Sequence, residues 1–322
     1  MKRIRLGIVG TGISARCLHM PALGRLKDRF RVVSVFNRTE AKAARFASDF
    51  RVPEVASSLS SLLKNPEIDA VLLALPIPLN PKVGMEVLRA GKPCFCEKPL
   101  APTLSAGTAF LKKAARFSTP FLVTENYVFN PLWVKFIDLV ENGAIGKPLY
   151  FYLRIFSHMD VRNPYAQTVW RKKPEHLGGF LGDAGVHYAA VMRRAFGEPR
   201  AIQSRVLSLR REVPPVDTLF CQMDYDSGLT GQVAYSFSVD AKEGQVWEVS
   251  GDRGSLCLTN DHLALRRAGH EKTVLYEKKN SFEMMYRHYY EVLTRGIRSR
   301  YSLMDAWLDL RLIHRMLTPE GR

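Results

Sequence analysis

A lysine that follows a short apolar run is the first candidate for chemistry in this chain of 322 residues. Residues 93–96, Pro-Cys-Phe-Cys, come after Gly91 and predict a buried strand of a parallel sheet. Lys98 would lie at the carboxyl end of that strand, the edge where open α/β sheets bind ligands, and Pro99 confines its backbone to extended geometry. Partial desolvation there would lower the pKa of the amine toward the range of a general acid or base. The alternative is a surface Glu-Lys pair that ends a strand.

An aspartate and a histidine four positions apart form the second candidate. Asp183 and His187 follow Gly178-Gly179, and the apolar pattern after Ala184 predicts a helix that carries both side chains on one face. An aspartate one turn before a histidine can orient the imidazole and favour one tautomer. A lone histidine on a helix is usually structural, so the spacing alone leaves both interpretations open.

The loop over residues 162–174 brings aromatic and cationic side chains close to this pair in sequence. It contains Tyr165, Trp170, Arg171 and Lys172. An aromatic face stacks on the C–H groups of a sugar, and Lys or Arg binds hydroxyls or a carboxylate. A sugar or an acidic sugar is therefore one predicted ligand of this loop. The equally supported alternative is that the segment is only a folded surface loop with Trp170 buried.

The element that would bring a cofactor to these groups stands at the start of the chain. Residues 4–9 predict a strand, and Gly10-Thr11-Gly12-Ile13-Ser14-Ala15 follows at once and opens a helix that extends to about residue 27. Gly10 allows the tight turn, Gly12 lets the backbone approach a pyrophosphate, and Ala15 allows close helix packing. The helix N-terminus offers free N–H groups to the phosphates. This order of strand, turn and helix predicts a dinucleotide site.

The end of the second predicted strand indicates which dinucleotide binds. An NAD site offers Asp or Glu to the ribose at this point, but the sequence has Asn37-Arg38-Thr39. Asn37 can bond a ribose oxygen, and the planar cation of Arg38 suits a 2′-phosphate, which favours NADP over NAD. An exposed loop arginine is the alternative for Arg38. Thr39 is a candidate N-cap of the next helix.

The remaining elements predict two domains. An apolar run over 69–75, helices over 81–90 and 104–117 and a strand over 121–124 complete a βα array, which predicts an α/β fold with one doubly wound parallel sheet in residues 1–125. The loop from Leu75 through Pro76 to Asn80 would cross the cofactor. Long amphipathic strands follow residue 126 and predict, for residues 126–322, an α+β domain whose last two helices pack back on the first domain.

Several of these motifs together resemble the glucose-fructose oxidoreductase / inositol dehydrogenase (Gfo/Idh/MocA) family. They are the glycine motif at Gly10, the loop from Pro76, the segment from Ala90 through Glu97-Lys98-Pro99, and Gly178-Gly179 with Asp183 and His187. The resemblance implies an N-terminal Rossmann domain and an open, mainly antiparallel C-terminal sheet whose outer face forms a homodimer or homotetramer. It also implies an active-site Lys98 before a cis proline, with Asp183 and His187 on the substrate side. Asn80 departs from the family pattern, where His is more common, and Asn37-Arg38 replaces the acidic residue of NAD-using members.

The sequence thus predicts an NADP(H)-dependent dehydrogenase or reductase of a sugar, polyol or related carbonyl compound, in which Lys98 or His187 handles the proton and Asp183 orients its neighbour. The alternatives are a glycosidase of the same family that uses transient oxidation and a non-catalytic NADP sensor. The predicted cofactor contacts are Gly10, Thr11, Gly12, Ile13, Asn37, Arg38, Thr39, Leu75, Pro76, Asn80, Glu97 and Lys98. The predicted substrate contacts are Lys98, Asn126, Tyr127, Trp170, Arg171, Asp183 and His187.

Composition further narrows the classes of protein to which the chain can belong. The net charge is +16, and residues 1–120 hold 20 Lys and Arg against 8 Asp and Glu. A basic field attracts phosphates and acidic substrates, but no zinc-finger, basic-zipper or RNA-binding pattern predicts a specific nucleic-acid partner. The five cysteines are odd in number and lie mostly in apolar runs, so we expect reduced thiols and no metal site. The glycine-broken N-terminal run is too short for a signal or membrane helix, and a cytoplasmic protein is expected.

Overall fold

The structure of the chain is a computed structural model that describes residues 3–242, 244–260, 262–275 and 280–319. Its strands are β1 (Ile4–Val9), β2 (Phe30–Phe36), β3 (Glu54–Val55), β4 (Ala70–Leu73), β5 (Cys94–Cys96), β6 (Phe121–Val123), β7 (Pro148–Phe156), β8 (Ala201–Leu207), β9 (Thr218–Asp224), β10 (Thr230–Ser236), β11 (Gln245–Gly251), β12 (Ser255–Leu258), β13 (His262–Arg267) and β14 (His270–Leu275).

The helices are α1 (Met20–Gly24), α2 (Glu40–Phe50), α3 (Leu59–Lys64), α4 (Asn80–Arg89), α5 (Leu104–Ala114), α6 (Pro131–Glu141), α7 (Val169–Lys172), α8 (Phe180–Phe196), α9 (Ser281–Arg295) and α10 (Leu303–Leu317). A π-helical turn over Ala15–His19 precedes α1, and 3₁₀ turns cover Ile77–Leu79 and Asn126–Phe129. None of the helices in the described part of the chain is long and apolar enough to cross a bilayer.

The first compact unit consists of the chain up to Asn126 together with Asn280–Leu308. Its six strands run in the order β3-β2-β1-β4-β5-β6, and every pair is parallel. Because β4 follows β3 in sequence but pairs with β1, the strand order reverses between β1 and β4. Open parallel sheets bind ligands at such a reversal, beyond the carboxyl ends of the strands. All four residues of β4 are buried, as expected for a strand covered on both faces.

The second unit consists of Tyr127–Lys279 and the chain from Asp309 onward. Its eight strands run in the order β14-β13-β12-β11-β7-β10-β9-β8, and only the pair of β10 with β7 is parallel. On β7, Phe151, Leu153 and Ile155 are buried on one face while their neighbours on the other face are not. The buried face carries the core of this unit, in which Trp133 and Trp247 meet edge to face. A parallel sheet in one unit and a mainly antiparallel sheet in the other confirm the predicted fold class.

Candidate active site

The glycine loop after β1 has the backbone geometry of a phosphate cradle. Gly10 has a φ of +98°, and a Cβ at this position would lie 2.3 Å from the carbonyl oxygen of Ala74. Any side chain is therefore excluded there. A Cβ at Gly12 would meet no atom within 4 Å, and the chain becomes helical from residue 13. Gly12 thus leaves open the approach to the helix N-terminus, which is the space a pyrophosphate needs.

The loop after β2 presents a cation to solvent. Arg38 and Thr39 are exposed, and Arg38 forms no ion pair with any residue that the structure describes. The side-chain amide of Asn37 donates to the carbonyl oxygen of Thr39 at 3.1 Å, which ties the loop together. Thr39 occupies the N-cap position of α2, but its side chain makes no capping hydrogen bond. Arg38 is therefore available to an anionic ligand.

Lys98 lies two residues beyond β5 and is half-buried. The Lys98–Pro99 peptide bond is cis, as the family resemblance implied. The side-chain amide of Asn80 donates to the carbonyl oxygens of Glu97 and Pro99, at 2.9 and 3.0 Å, on either side of the lysine. The backbone N–H of Glu97 donates to Leu73 in β4 at 2.9 Å. The segment that carries the amine is therefore fixed from two neighbouring elements.

Asn80, which the sequence predicts as a cofactor contact, is hydrogen-bonded to the Lys98 segment in the structure. Its side chain is fully buried at the start of α4, and both N–H groups of its amide bind the Lys98 segment. Its side-chain oxygen is buried and has no hydrogen-bond partner among the described residues. In the structure Asn80 supports Lys98, a function that the sequence did not indicate because nothing in it shows which carbonyls lie opposite an asparagine.

Asp183 and His187 lie one turn apart on α8, as the spacing predicted. Gly178 and Gly179, both with positive φ, lead into this helix. The carboxylate of Asp183 is buried, accepts a hydrogen bond from Nε of Arg171 at 2.9 Å, and forms an ion pair with its Nη2 at 2.8 Å. His187 stacks on Tyr127, with ring centroids 4.4 Å apart and an angle of 12° between the planes. Tyr127 holds the imidazole in a defined plane, and Arg171 fixes the carboxylate.

Arg171 and Trp170 are more closely engaged with the protein than the sequence suggested. The guanidinium of Arg171 lies 3.9 Å from the centroid of the Trp170 ring and 5.0 Å from that of Tyr165. Both residues were predicted to bind substrate, but in the structure Arg171 is the cation that pairs with Asp183. Similarly, the amide of Asn126 donates to the hydroxyl of Ser281 at 2.8 Å. These are structural contacts of residues that the sequence marked only by their chemical type.

The sequence did not single out two further tyrosines of the second unit, Tyr188 and Tyr235. Burial, and then the proximity of Tyr127, raises the pKa of Tyr188 and of Tyr235 well above the ordinary value, so both hydroxyls stay protonated. The hydroxyl of Tyr235 has no hydrogen-bond partner among the described residues. A cavity of about 410 Å³ lies beside this cluster, lined by Tyr127, Trp133 and Tyr188 together with Asn130, Gln245 and Asn260. A ligand there would meet aromatic faces and neutral amides, which suits an uncharged polar molecule.

Comparison with known proteins identifies both parts of the chain. Residues 4–124 match the model of the oxidoreductase family with an NAD-binding Rossmann fold, and residues 133–257 match the GFO/IDH/MocA C-terminal domain. A solved oxidoreductase from Thermotoga maritima is 34% identical, with a TM-score of 0.94 over 99% of this chain and 97% of that one.

Relatives with named substrates are more distant. The scyllo-inositol 2-dehydrogenase (NADP(+)) of Bacillus subtilis is 25% identical over 78% of this chain and 68% of its own length. A levoglucosan dehydrogenase solved with NADH and levoglucosan is 20% identical, with a TM-score of 0.88 over 98% of this chain and 96% of that one, and at this identity it shows the fold alone. The two family models cover most of the chain in the order that its motifs predicted, and the chain belongs to the Gfo/Idh/MocA family of NAD(P)-binding oxidoreductases.

Proposed function

We propose that the chain is an NADP(H)-dependent oxidoreductase that acts on a sugar, a polyol or a related carbonyl compound. The observation that carries this proposal is the position of Lys98, because a half-buried lysine follows β5 at the ligand-binding edge of a Rossmann sheet and Asn80 fixes the backbone on both sides of it.

The residues around the glycine loop fit a dinucleotide. Gly10 allows the turn, Gly12 leaves room for the pyrophosphate, and Arg38 offers a planar cation to a 2′-phosphate. When bound, the nicotinamide donates or accepts the hydride. The named relatives include one that uses NADP(+) and one solved with NADH, so the preference depends on this chain's own loop, which has a cation and no carboxylate.

The protein's own part in the reaction is to bind the substrate and to handle one proton. The candidate proton carriers are Lys98 in the first unit and His187 in the second, and one of the two would handle the proton of the substrate hydroxyl. Arg171 holds Asp183 one turn before His187, and Tyr127 fixes the plane of the imidazole. A polyol or sugar substrate is supported by the named scyllo-inositol dehydrogenase relative and by the neutral polar groups beside Tyr127.

The test is a turnover screen with NADPH and NADH against sugars, polyols, sugar acids and small aldehydes. We expect NADPH to be consumed with at least one carbonyl compound, and Lys98→Met to lower turnover roughly 10²-fold or more while cofactor binding is kept. Glycoside hydrolysis without net NADPH consumption would indicate the transient-oxidation glycosidase instead. Tight NADPH binding without any turnover would indicate a sensor.

We also propose that the outer face of the second unit's sheet pairs with a second copy of the chain. Tyr150 and Phe220 are 41% and 43% exposed, and the strand register places both on the face opposite to buried Phe151. Exposed aromatic residues on one sheet face are typical of an interface. Light scattering on Tyr150→Glu and Phe220→Glu variants is expected to show smaller particles than the unmodified protein; an unchanged mass would contradict the proposal.

A further inference from the structure

A groove on the second unit lies between two of its loops. One loop covers residues 160–172, and the other covers residues 209–214. The groove has a volume of about 330 Å³, and its lining includes Val161, Gln167, Lys172, Arg211, Glu212 and Pro214. A cavity of this size accommodates a small organic molecule. We call it the Lys172 groove.

The first loop holds the ammonium group of Lys172 at the groove. Nζ of Lys172 donates to the side-chain oxygen of Gln167 at 2.7 Å, and the amide of Gln167 donates in turn to the carbonyl oxygen of Val161. The backbone N–H of Gln167 also donates to the carbonyl oxygen of Asn163, at 3.1 Å. An ammonium group has three N–H donors, so the hydrogen bond to Gln167 leaves donors for a ligand.

Buried Asp217 fixes the second loop. Its carboxylate accepts hydrogen bonds from the backbone N–H groups of Leu209 and Arg210, at 2.9 and 2.7 Å, and the residue has no exposed surface. Nη1 of Arg210 donates to the carbonyl oxygen of Met159 at 2.9 Å, directly before the first loop. The two walls of the groove are therefore tied to the core of the unit and to each other.

The groove carries more positive than negative charge. Lys172 and Arg211 are both exposed, and Arg211 forms no ion pair with any residue that the structure describes. Glu212 also lines the groove, but its carboxylate lies 3.9 Å from Nε of Arg210, which offsets part of its charge. Two cations that line one groove repel each other, and an anion bound to both would replace this repulsion by attraction.

The side chains of the lining indicate which kind of molecule fits. The planar fork of Arg211 can bind two oxygens of a phosphate or a carboxylate, and the ammonium group of Lys172 can bind such an oxygen as a point charge. Val161 and Pro214 supply apolar contact. The combination suits a small organic molecule that carries one anionic group.

Both walls of the groove also adjoin residues that hold Asp183. Lys172 follows Arg171, which pairs with Asp183. A Cβ at Gly179 would lie 2.4 Å from the carbonyl oxygen of Pro214, so these two segments are in close contact. The backbone N–H of Asp183 donates to the carbonyl oxygen of Gly179 at 2.9 Å. A ligand in the groove would thus contact the segments that support this carboxylate.

We propose that the Lys172 groove binds a small organic anion, and that Lys172 and Arg211 contact its phosphate or carboxylate group. The site goes beyond the proposed function, because neither residue has a part in hydride or proton transfer there. The rest of the ligand lies along the apolar wall formed by Val161 and Pro214.

The test is an NMR titration of the ¹⁵N-labelled full-length protein at low ionic strength, because salt screens exposed charges. The probes are glycerol 3-phosphate, glycerate and glycerol, which share a three-carbon body and differ in the charge they carry. Saturable shifts with at least one anion, and weaker or no binding of glycerol, are expected. The tighter anion identifies the recognised group as phosphate or carboxylate. If neither anion binds saturably, or if glycerol binds as tightly as both, the proposal is overturned.

Variants locate the bound anion. Lys172→Gln and Arg211→Gln are each expected to weaken its binding roughly 5-fold or more, because each removes a charged hydrogen-bond donor from a site that is open to solvent. Glu212→Gln removes a carboxylate from the lining and is expected to tighten binding. Lys173→Gln is the matched control, because Lys173 is exposed and adjacent in sequence but lies outside the groove lining. Its affinity is expected to stay close to that of the unmodified protein.

Two further results would overturn the proposal. Equal weakening in Lys173→Gln and Lys172→Gln would mean that the anion responds only to the general basic surface. Unchanged affinity in both Lys172→Gln and Arg211→Gln would place the anion elsewhere, and a loss in Arg38→Ala would then locate it at the dinucleotide loop. The titration needs neither cofactor nor turnover, so its outcome is independent of the substrate screen.

Discussion

Replacing Arg171 with methionine is expected to destabilise the second unit and also to impair catalysis. Arg171 donates a hydrogen bond from Nε to the carboxylate of Asp183 and forms an ion pair with it through Nη2, and the two side chains are only 13% and 8% exposed. Removing one partner of a buried ion pair leaves an uncompensated charge, which costs about 3 to 5 kcal/mol. We take the lower end, about 3 kcal/mol, because Arg171 keeps some contact with water. For a unit of this size, that corresponds to a fall in Tm of roughly 6 to 12 °C.

The assay is urea unfolding followed by fluorescence, together with steady-state kinetics. Arg162→Met is the matched control, because Arg162 pairs with Asp160 in the same loop but is 88% exposed. Exposed pairs contribute little, so this control is expected to unfold like the unmodified protein. The double variant Arg171→Met with Asp183→Asn removes both charges and is expected to recover part of the lost stability. Equal effects of Arg171→Met and Arg162→Met would refute the reasoning, because burial would then make no difference.

Three further outcomes are expected. Gly10→Ala is expected to lower the free energy of unfolding by roughly 1 to 3 kcal/mol through backbone strain, whereas Gly12→Ala is expected to keep stability and weaken NADPH binding in a fluorescence titration. Arg38→Ala is expected to raise KM for NADPH roughly 10- to 100-fold and to leave KM for NADH almost unchanged; equal effects would exclude a 2′-phosphate contact. Burial raises the pKa of Cys221 to about 12, so at pH 8 iodoacetamide is expected to label exposed Cys17 in the folded protein and to reach Cys221 only after unfolding, as mass spectrometry can show.

The sequence predicted most of the fold because its signals are local. The order of strand, glycine loop and helix defined the nucleotide-binding unit, and the apolar runs around residues 70–73 and 94–96 became the buried parallel strands β4 and β5. The hairpin of β13 and β14 was missed because its turn is Ala268-Gly269. Both residues have positive φ, a conformation that alanine disfavours and that the usual Asn-Gly or Asp-Gly signal would have marked.

In the candidate site, too, local sequence patterns predicted some features and missed others. Residue type and spacing made Lys98, Asp183 and His187 candidates, because a lysine after a parallel strand and an Asp–His pair at helical spacing are local patterns, and the family resemblance then favoured a functional interpretation. Their partners come from elsewhere in the chain: 18 positions separate Asn80 from Lys98, and 267 separate His19 from Tyr286. Hydrogen bonds between such distant positions depend on the register of strands and the packing of helices. Only the tertiary structure could therefore decide that the imidazole of His19 lies next to the carboxylate of Glu97.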